Sequence, residues 1–411
     1  DNAQMLSVYA KAYRSSKKKL YKTEIDKIFD FIQSNLSGSN GLLYSSISAV
    51  TELGDEKIEG DYYVWDQETL KQILGKNFEL FQDYFNVNKI GFWEKNKYVL
   101  KRENDNEFFS KKYNISIKDL ELNISESLQI LKKSRDGRKK PITDKKVLTS
   151  WNSLSVIGLS EAYQSTSEKK FLQKAQNILS SIEHNLIKEN HEVQRSLSSS
   201  EDNVIFLEDY SYLISAYLSL YQSTFDNNYI DKADKLTQKA LALFAHEESP
   251  FLKFSSDKSL FFSDNLFVNQ DGVMPSANSV MSKNLFLLSH YTGNREYYAL
   301  GKSMIDAIAN DMMENTLDYM NWLNVSLDYN DKFFEVVISG KKSFEMAKEI
   351  NSIYFPNILI AASKKDSDRY LLKNRYIKGE NLIYVCVNNT CKFPVNNVKE
   401  ALNLITQSDE K

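Results

Sequence analysis

Cysteine is nearly absent. Two residues in 411 are too few for a disulfide framework, and the spacing Cys386-x4-Cys391 is neither the C-x-x-C of a redox motif nor half of a convincing zinc site. Buried or lightly exposed thiols are expected, and the compartment stays open on this count. Histidine is as scarce: His184, His191, His246 and His290 are scattered without metal-ligand spacing, so neither a metal nor any other cofactor is assigned. There is no glycine-rich phosphate loop and no G-x-S-x-G elbow. No run of 18 apolar residues exists and no charged-then-apolar leader opens the chain, so no membrane span is expected and the cytoplasm is the expected location. Neither sign of charge dominates. With 52 Lys and Arg against 55 Asp and Glu, interspersed to a net charge of -3, nothing points to nucleic acid or an anionic membrane surface as a partner.

What the chain does have is material for a large core, 42% hydrophobic and 12% aromatic, and a cadence. A turn built on Tyr followed by Ser or Thr recurs at Tyr13-Arg14-Ser15-Ser16, Tyr163-Gln164-Ser165-Thr166, Tyr221-Gln222-Ser223-Thr224 and Tyr291-Thr292-Gly293. Each leads into an amphipathic stretch with one apolar stripe, such as Phe171, Leu172, Ala175, Ile178, Leu179 and Ile182, as expected of a helix with one side in water. The stretches before the turns, Trp151 to Tyr163, Ile205 to Tyr221 and Val280 to His290, are apolar or small on nearly all faces and read as helices buried on both sides. Alternating one-sided and two-sided helices predict a mainly α fold, a double-layered α/α barrel of helical hairpins.

The expected organisation is a barrel over 1–330, with an irregular insertion at about 38–114, and a small C-terminal α/β segment over 331–411. Within the insertion, 76–114 reads as a polar, aromatic excursion, followed by a helix near Ile117 to Lys133. Short buried-strand runs at Phe334 to Ser339, Asn357 to Ala361 and Asn381 to Cys386, alternating with helical stretches, predict the appended sheet with a parallel pairing. The chain starts at Asp1 without a Met and reads as helical by Gln4, which suggests a processed or truncated product.

In such a barrel the inner helices run the same way, so the segments entering them gather at one rim. Those segments carry Glu59 and Trp65; Trp151 and Asn152; Glu208, Asp209 and Tyr210; and Asp271, Ser276 and Asn278. Acids, amides and aromatic faces together are the inventory of a sugar site. Glu208, Asp209, Glu59 and Asp271 are the acid/base candidates, and Trp65, Trp151, Asn152, Tyr210, Ser276 and Asn278 the substrate-binding candidates. Plainer readings stand beside these. Glu208 and Asp209 also suit the first turn of a helix, Ser276 after Pro275 suits an N-cap, and Trp65 and Trp151 suit a core. Arg135 and Arg138 read as part of a solvated basic loop. A cavity lined by Tyr163, Tyr221 and Tyr291 would move the site to the other end.

At these same residues the chain resembles a known family. Glu59 to Trp65, Lys146 to Asn152, Leu207 to Tyr210, Asp271-Gly272 with Pro275 to Ser279, and Tyr384-Val385-Cys386 with Cys391 and Pro394 are similar to the ordered motifs of the thioredoxin-domain-containing family that includes spermatogenesis-associated protein 20 and bacterial proteins. The resemblance implies an N-terminal thioredoxin-like domain, missing from this chain and a possible partner to it, followed by an α/α six-hairpin barrel related to glycosidases and N-acylglucosamine 2-epimerases. It delivers a fold more firmly than a reaction; the small-molecule substrate expected, a sugar, rests on the inventory of the rim. The chain departs from the family pattern at Ser48-Ala49-Val50, where an Asp-Ala-Asp triplet is usual, at Asp144-Lys145-Lys146, where the Asp is paired, and at Ser153, where Gly is usual. Lost carboxylates favour a binding-only or scaffold role as the alternative to a glycoside hydrolase or epimerase.

Overall fold

The computed structural model describes residues 1–197, 204–256, 266–387 and 390–406, and in it each Tyr-Ser/Thr turn ends one helix and begins another. The pairs are α1 (Asn2–Ser16) with α2 (Lys19–Phe31), α3 (Thr149–Thr166) with α4 (Lys169–Leu186), α5 (Leu207–Thr224) with α6 (Asn227–Phe244), and α7 (Ala277–Thr292) with α8 (Arg295–Glu314).

One device makes all four turns. The residue after the first helix of each pair, Lys17, Ser167, Phe225 or Gly293, takes the left-handed conformation with φ of 55°, 63°, 58° and 75°. Its N–H returns to a carbonyl of the last turn, which satisfies a group the helix end would otherwise leave open. The hydroxyls of Ser16, Thr166, Thr224 and Thr292 donate to the carbonyls of Ala12, Ala162, Leu220 and Leu288. Each also accepts the N–H two residues on, from Lys18, Glu168, Asp226 and Asn294. The Ser or Thr of the cadence is thus a helix stop and a turn anchor at once.

Burial follows the expected alternation. Helices α3, α5 and α7 are buried on most faces, whereas α4 and α6 bury single stripes, Phe171, Ala175, Ile178 and Ile182 on one and Ile230, Ala233, Leu236 and Ala240 on the other. The inner row runs α1, α3, α5, α7 and then α9 (Met320–Asn330), each packed on the next. Small residues let the row close up. A Cβ on Gly158 of α3 would stand 2.6 Å from the Ala3 carbonyl oxygen of α1, so these two backbones are nearly in contact. The result is a mainly α barrel of paired helices.

The same unit, Asp1–Ser45 with Lys146–Lys411, contains the α/β segment: β1 (Phe334–Ser339), α10 (Ser343–Asn351), β2 (Ile358–Ser363), β3 (Leu382–Val387), β4 (Thr390–Cys391) and α11 (Val398–Thr406). Its sheet is ordered β4-β3-β1-β2, with β1 parallel to β2 and antiparallel to β3. All six residues of β1 are buried, and its apolar side chains continue the barrel core. One expectation is corrected here. Cys386 and Cys391 are not thiols but a disulfide, because the β3–β4 pairing sets them directly opposite each other, with Cα atoms 3.9 Å apart.

The second unit, Ser46–Lys145, has a core of its own that includes Trp65, Leu70, Phe81, Phe109, Leu120 and Leu131. Val50–Leu53 and Glu56–Glu59 form a hairpin, and Ile117–Asp136 is the longest helix of the unit. The stretch 76–114, polar and aromatic in sequence, includes the short helices Phe78–Tyr84 and Asn106–Tyr113. Two turns each give too little periodicity to read, although Asp105 caps the second by accepting from Phe108 N–H.

Candidate functional site

The entries to α3 and α5 meet. Ser150, in the first turn of α3, donates its backbone N–H to Asp209 Oδ1 at 3.0 Å and its hydroxyl to Glu208 Oε1 at 2.7 Å. Trp151 and Glu208 therefore stand at the same end of the helical array, as like-directed inner helices require. Arg195 completes the group. It lies in the loop after α4, where its carbonyl accepts Thr149 N–H at 2.9 Å, and its Nη1 stands 3.5 Å from both Glu208 Oε1 and Asp209 Oδ2. The guanidinium also covers the Phe206 ring at 4.7 Å.

The two acids differ in environment. Asp209 has no solvent exposure, and burial pushes its carboxyl up to about 7, with Arg195 pulling the other way and Glu208 adding to the rise. Glu208 keeps 22% of its side chain exposed. Trp151, which follows Ser150 in the chain, is 40% exposed. The arrangement presents one accessible carboxylate, held by a hydroxyl and a guanidinium, over a buried acid that changes charge near neutral pH.

The other candidates of this unit are spent on the fold. Asn152 accepts Leu43 N–H at 2.8 Å and donates to Leu43 and Leu148 carbonyls. Asn278 does the same to Leu252, accepting its N–H at 2.9 Å and donating to its carbonyl at 3.0 Å. Tyr210 accepts Val193 N–H and donates to the His191 carbonyl, both at 3.0 Å. Each clamps the loop that follows an outer helix. Asp271 accepts from Ser276 N–H and the Ser279 hydroxyl at the start of α7 and from Asn321 N–H at the start of α9. Ser276 caps α7 by accepting Ser279 N–H.

Glu59 and Trp65 belong to the second unit. Glu59 is exposed at the end of its hairpin, paired with Val50. Trp65 is 3% exposed, with the Arg138 guanidinium 3.8 Å from its ring centroid. Arg138 donates to the carbonyls of Asp61, Tyr62 and Val64, and Arg135 lies over Tyr62 and Tyr63. The basic pair is therefore a clasp on this motif, not a solvated loop.

Sequence reasoning missed Arg195, whose position in a loop gives no periodic signal, and Ser150, which stood inside a quoted motif without a role. It also missed ion pairs between inner helices, Lys11 with Glu161 at 3.3 Å and Lys283 with Asp328. At the opposite end of α5 and α7 lies a cavity of about 500 Å³ lined by Tyr221, Asp231, Tyr291, Arg369 and Tyr370 among others; Tyr163 does not line it. There Arg369 grips Asp231 with both nitrogens.

Along nearly its whole length the chain matches human spermatogenesis-associated protein 20, at 22% identity over 98% of the chain, and the mouse protein at 22% over 99%. The chain is a homologue of that protein. An uncharacterised Caenorhabditis elegans protein is 29% identical over 72% of the chain. These relatives are animal proteins, where bacterial ones were also expected, and the chain spans 57%, 57% and 44% of their lengths, about half. No family model matches. Similar solved structures include cellobiose 2-epimerase from Bacillus thermoamylovorans, 12% identical over 75% of this chain and 59% of that one, with a TM-score of 0.42. An α-mannanase from Bacteroides thetaiotaomicron is 12% identical over 75% of this chain and 92% of that one, with a TM-score of 0.38. Among the described residues no helix is long and apolar enough to cross a membrane.

Proposed function

We propose that the entry rim of α3 and α5 is a carbohydrate-directed site, of glycoside hydrolase or N-acylglucosamine 2-epimerase type, in which Glu208 exchanges the proton. The observation that carries this reading is the accessible Glu208 carboxylate, held by Ser150 and Arg195, with the exposed Trp151 next to Ser150 in the chain. Asp209 tunes its field from below, and Asn152, Tyr210, Ser276, Asn278 and Asp271 hold the rim in place without touching ligand. On the second unit Glu59 is exposed and remains a candidate, whereas Trp65 is part of that unit's core.

A thermal-shift screen against free sugars and sugar phosphates tests it first, since a ligand at 100 times its Kd adds about 2.7 kcal/mol to folding stability. With a ligand in hand, Glu208→Gln should lower turnover by roughly two to four orders of magnitude at little changed affinity. Normal turnover in that variant would end the assignment. A second reading, a binding or scaffold module without chemistry, is favoured by the ion pairing of both acids to Arg195. It predicts sugar binding weakened by Trp151→Ala and no turnover in any variant.

A further inference from the structure

The two sulfurs of the Cys386–Cys391 disulfide occupy unequal places. Cys386 lies inside the sheet on β3 and is 1% exposed, whereas Cys391 is part-exposed on the edge strand β4. Arg375 stands beside the accessible one, with Nη2 3.0 Å from Cys391 Sγ. It is fixed there, because its guanidinium lies over the Tyr384 ring at 4.8 Å and its carbonyl accepts the Ser339 hydroxyl at 2.6 Å. The reactive form of cysteine is the thiolate, and a neighbouring guanidinium favours that form. A part-exposed cysteine with a cation at its sulfur, backed by a buried partner in bonding distance, is the layout of an attacking and a resolving cysteine.

We propose that Cys386 and Cys391 form a thiol–disulfide exchange site that takes an external dithiol or disulfide, independent of the carbohydrate reading. A thiolate of the dithiol attacks Cys391 Sγ; the new intermolecular S–S bond forms as the Cys386–Cys391 bond breaks, and Cys386 leaves with the electron pair and takes up a proton. The second thiol of the reductant loses its proton and attacks its own sulfur in the mixed disulfide, which closes the reductant's disulfide and releases Cys391 as a thiolate beside Arg375. Two electrons pass from reductant to protein. In reverse, the Cys391 thiolate attacks an external disulfide and Cys386 closes the pair.

The full chain is reduced with dithiothreitol, and alkylation by iodoacetamide is followed by peptide mass mapping across pH. Cys391 should react first, with an apparent pKa below that of a free thiol. Arg375→Gln removes the cation beside Cys391 Sγ and should slow alkylation at pH 7 severalfold, with Arg375→Lys restoring most of the rate. In Cys386→Ser, oxidised glutathione should cap Cys391, whereas Cys386 in Cys391→Ser should stay free; where a variant fails to fold, the order of alkylation in the reduced native chain decides. Equal reactivity of the two cysteines, an Arg375→Gln rate like that of the parent, or a disulfide that resists dithiothreitol in the folded protein would overturn the proposal.

Discussion

Asp209→Asn isolates a pH-dependent contribution to stability. In the folded chain Asp209 has no exposure and burial lifts its carboxyl to about 7, whereas an unfolded aspartate titrates near about 3.9. Between those values the folded chain holds a proton that the unfolded chain has released, so stability falls as pH rises, and above about 7 the loss is complete. A rise of about three units at 1.36 kcal/mol each corresponds to about 4 kcal/mol over the whole interval, of which about 2 to 3 kcal/mol falls between pH 5 and pH 8. The amide in Asp209→Asn is neutral throughout and keeps an oxygen to accept Ser150 N–H, so this contribution vanishes. Urea unfolding of both proteins at pH 5, 6, 7 and 8 reads the effect. The variant should gain on the parent by about 2 to 3 kcal/mol across that range. A difference that does not change with pH would refute the claim that Asp209 is protonated in the folded state near neutrality.

Three further outcomes follow from the packing. Gly158→Ala should destabilise by about 1–3 kcal/mol in chemical denaturation, against the usual helical preference for Ala, because the new methyl meets the Ala3 carbonyl oxygen at 2.6 Å. Ser167→Gly should stabilise by about 0.5–1 kcal/mol, since φ of 63° costs a serine and not a glycine; a lower melting temperature would contradict the turn mechanism. Asn278→Ala leaves the Leu252 N–H and carbonyl without their partner and should cost about 2–4 kcal/mol, read by urea unfolding.

The helical pairs were legible because their signal is periodic. Stripes at Phe171, Ala175, Ile178 and Ile182, against apolar residues all round a helix at Tyr212, Leu213, Ile214, Ala216 and Leu218, are what one-sided and two-sided burial look like in sequence. The turns were legible as a motif, but their mechanism needed coordinates, since only these show the Thr166 and Thr224 hydroxyls bridging helix end and turn. The helices Phe78–Tyr84 and Asn106–Tyr113 were not legible, being too short for a period to repeat. Neither was the disulfide, because the C-x4-C spacing says nothing until β3 and β4 are paired in register.

The rim itself shows why sequence reasoning gathers more candidates than a site can use. Asn152, Tyr210 and Asn278 occupy corresponding places at the starts of three inner helices, and all three grip the backbone of a loop that follows an outer helix. A position filled in three repeats by side chains doing one structural job is accounted for by the fold. Two residues earlier in each repeat stand Ser150, Glu208 and Ser276. Ser276 caps its own helix, and the Ser150 hydroxyl turns instead to Glu208. A small hydroxyl suffices at that position in two repeats, so the fold does not require a carboxylate in the third. Glu208 departs from the repeat, reaches solvent and draws in Arg195. Its neighbour Asp209 stands where the other repeats have Trp151 and Ala277 and carries a buried carboxyl that packing alone would disfavour. The repeats thus serve as internal controls, and the one that breaks its own pattern with two acids is where chemistry should be sought.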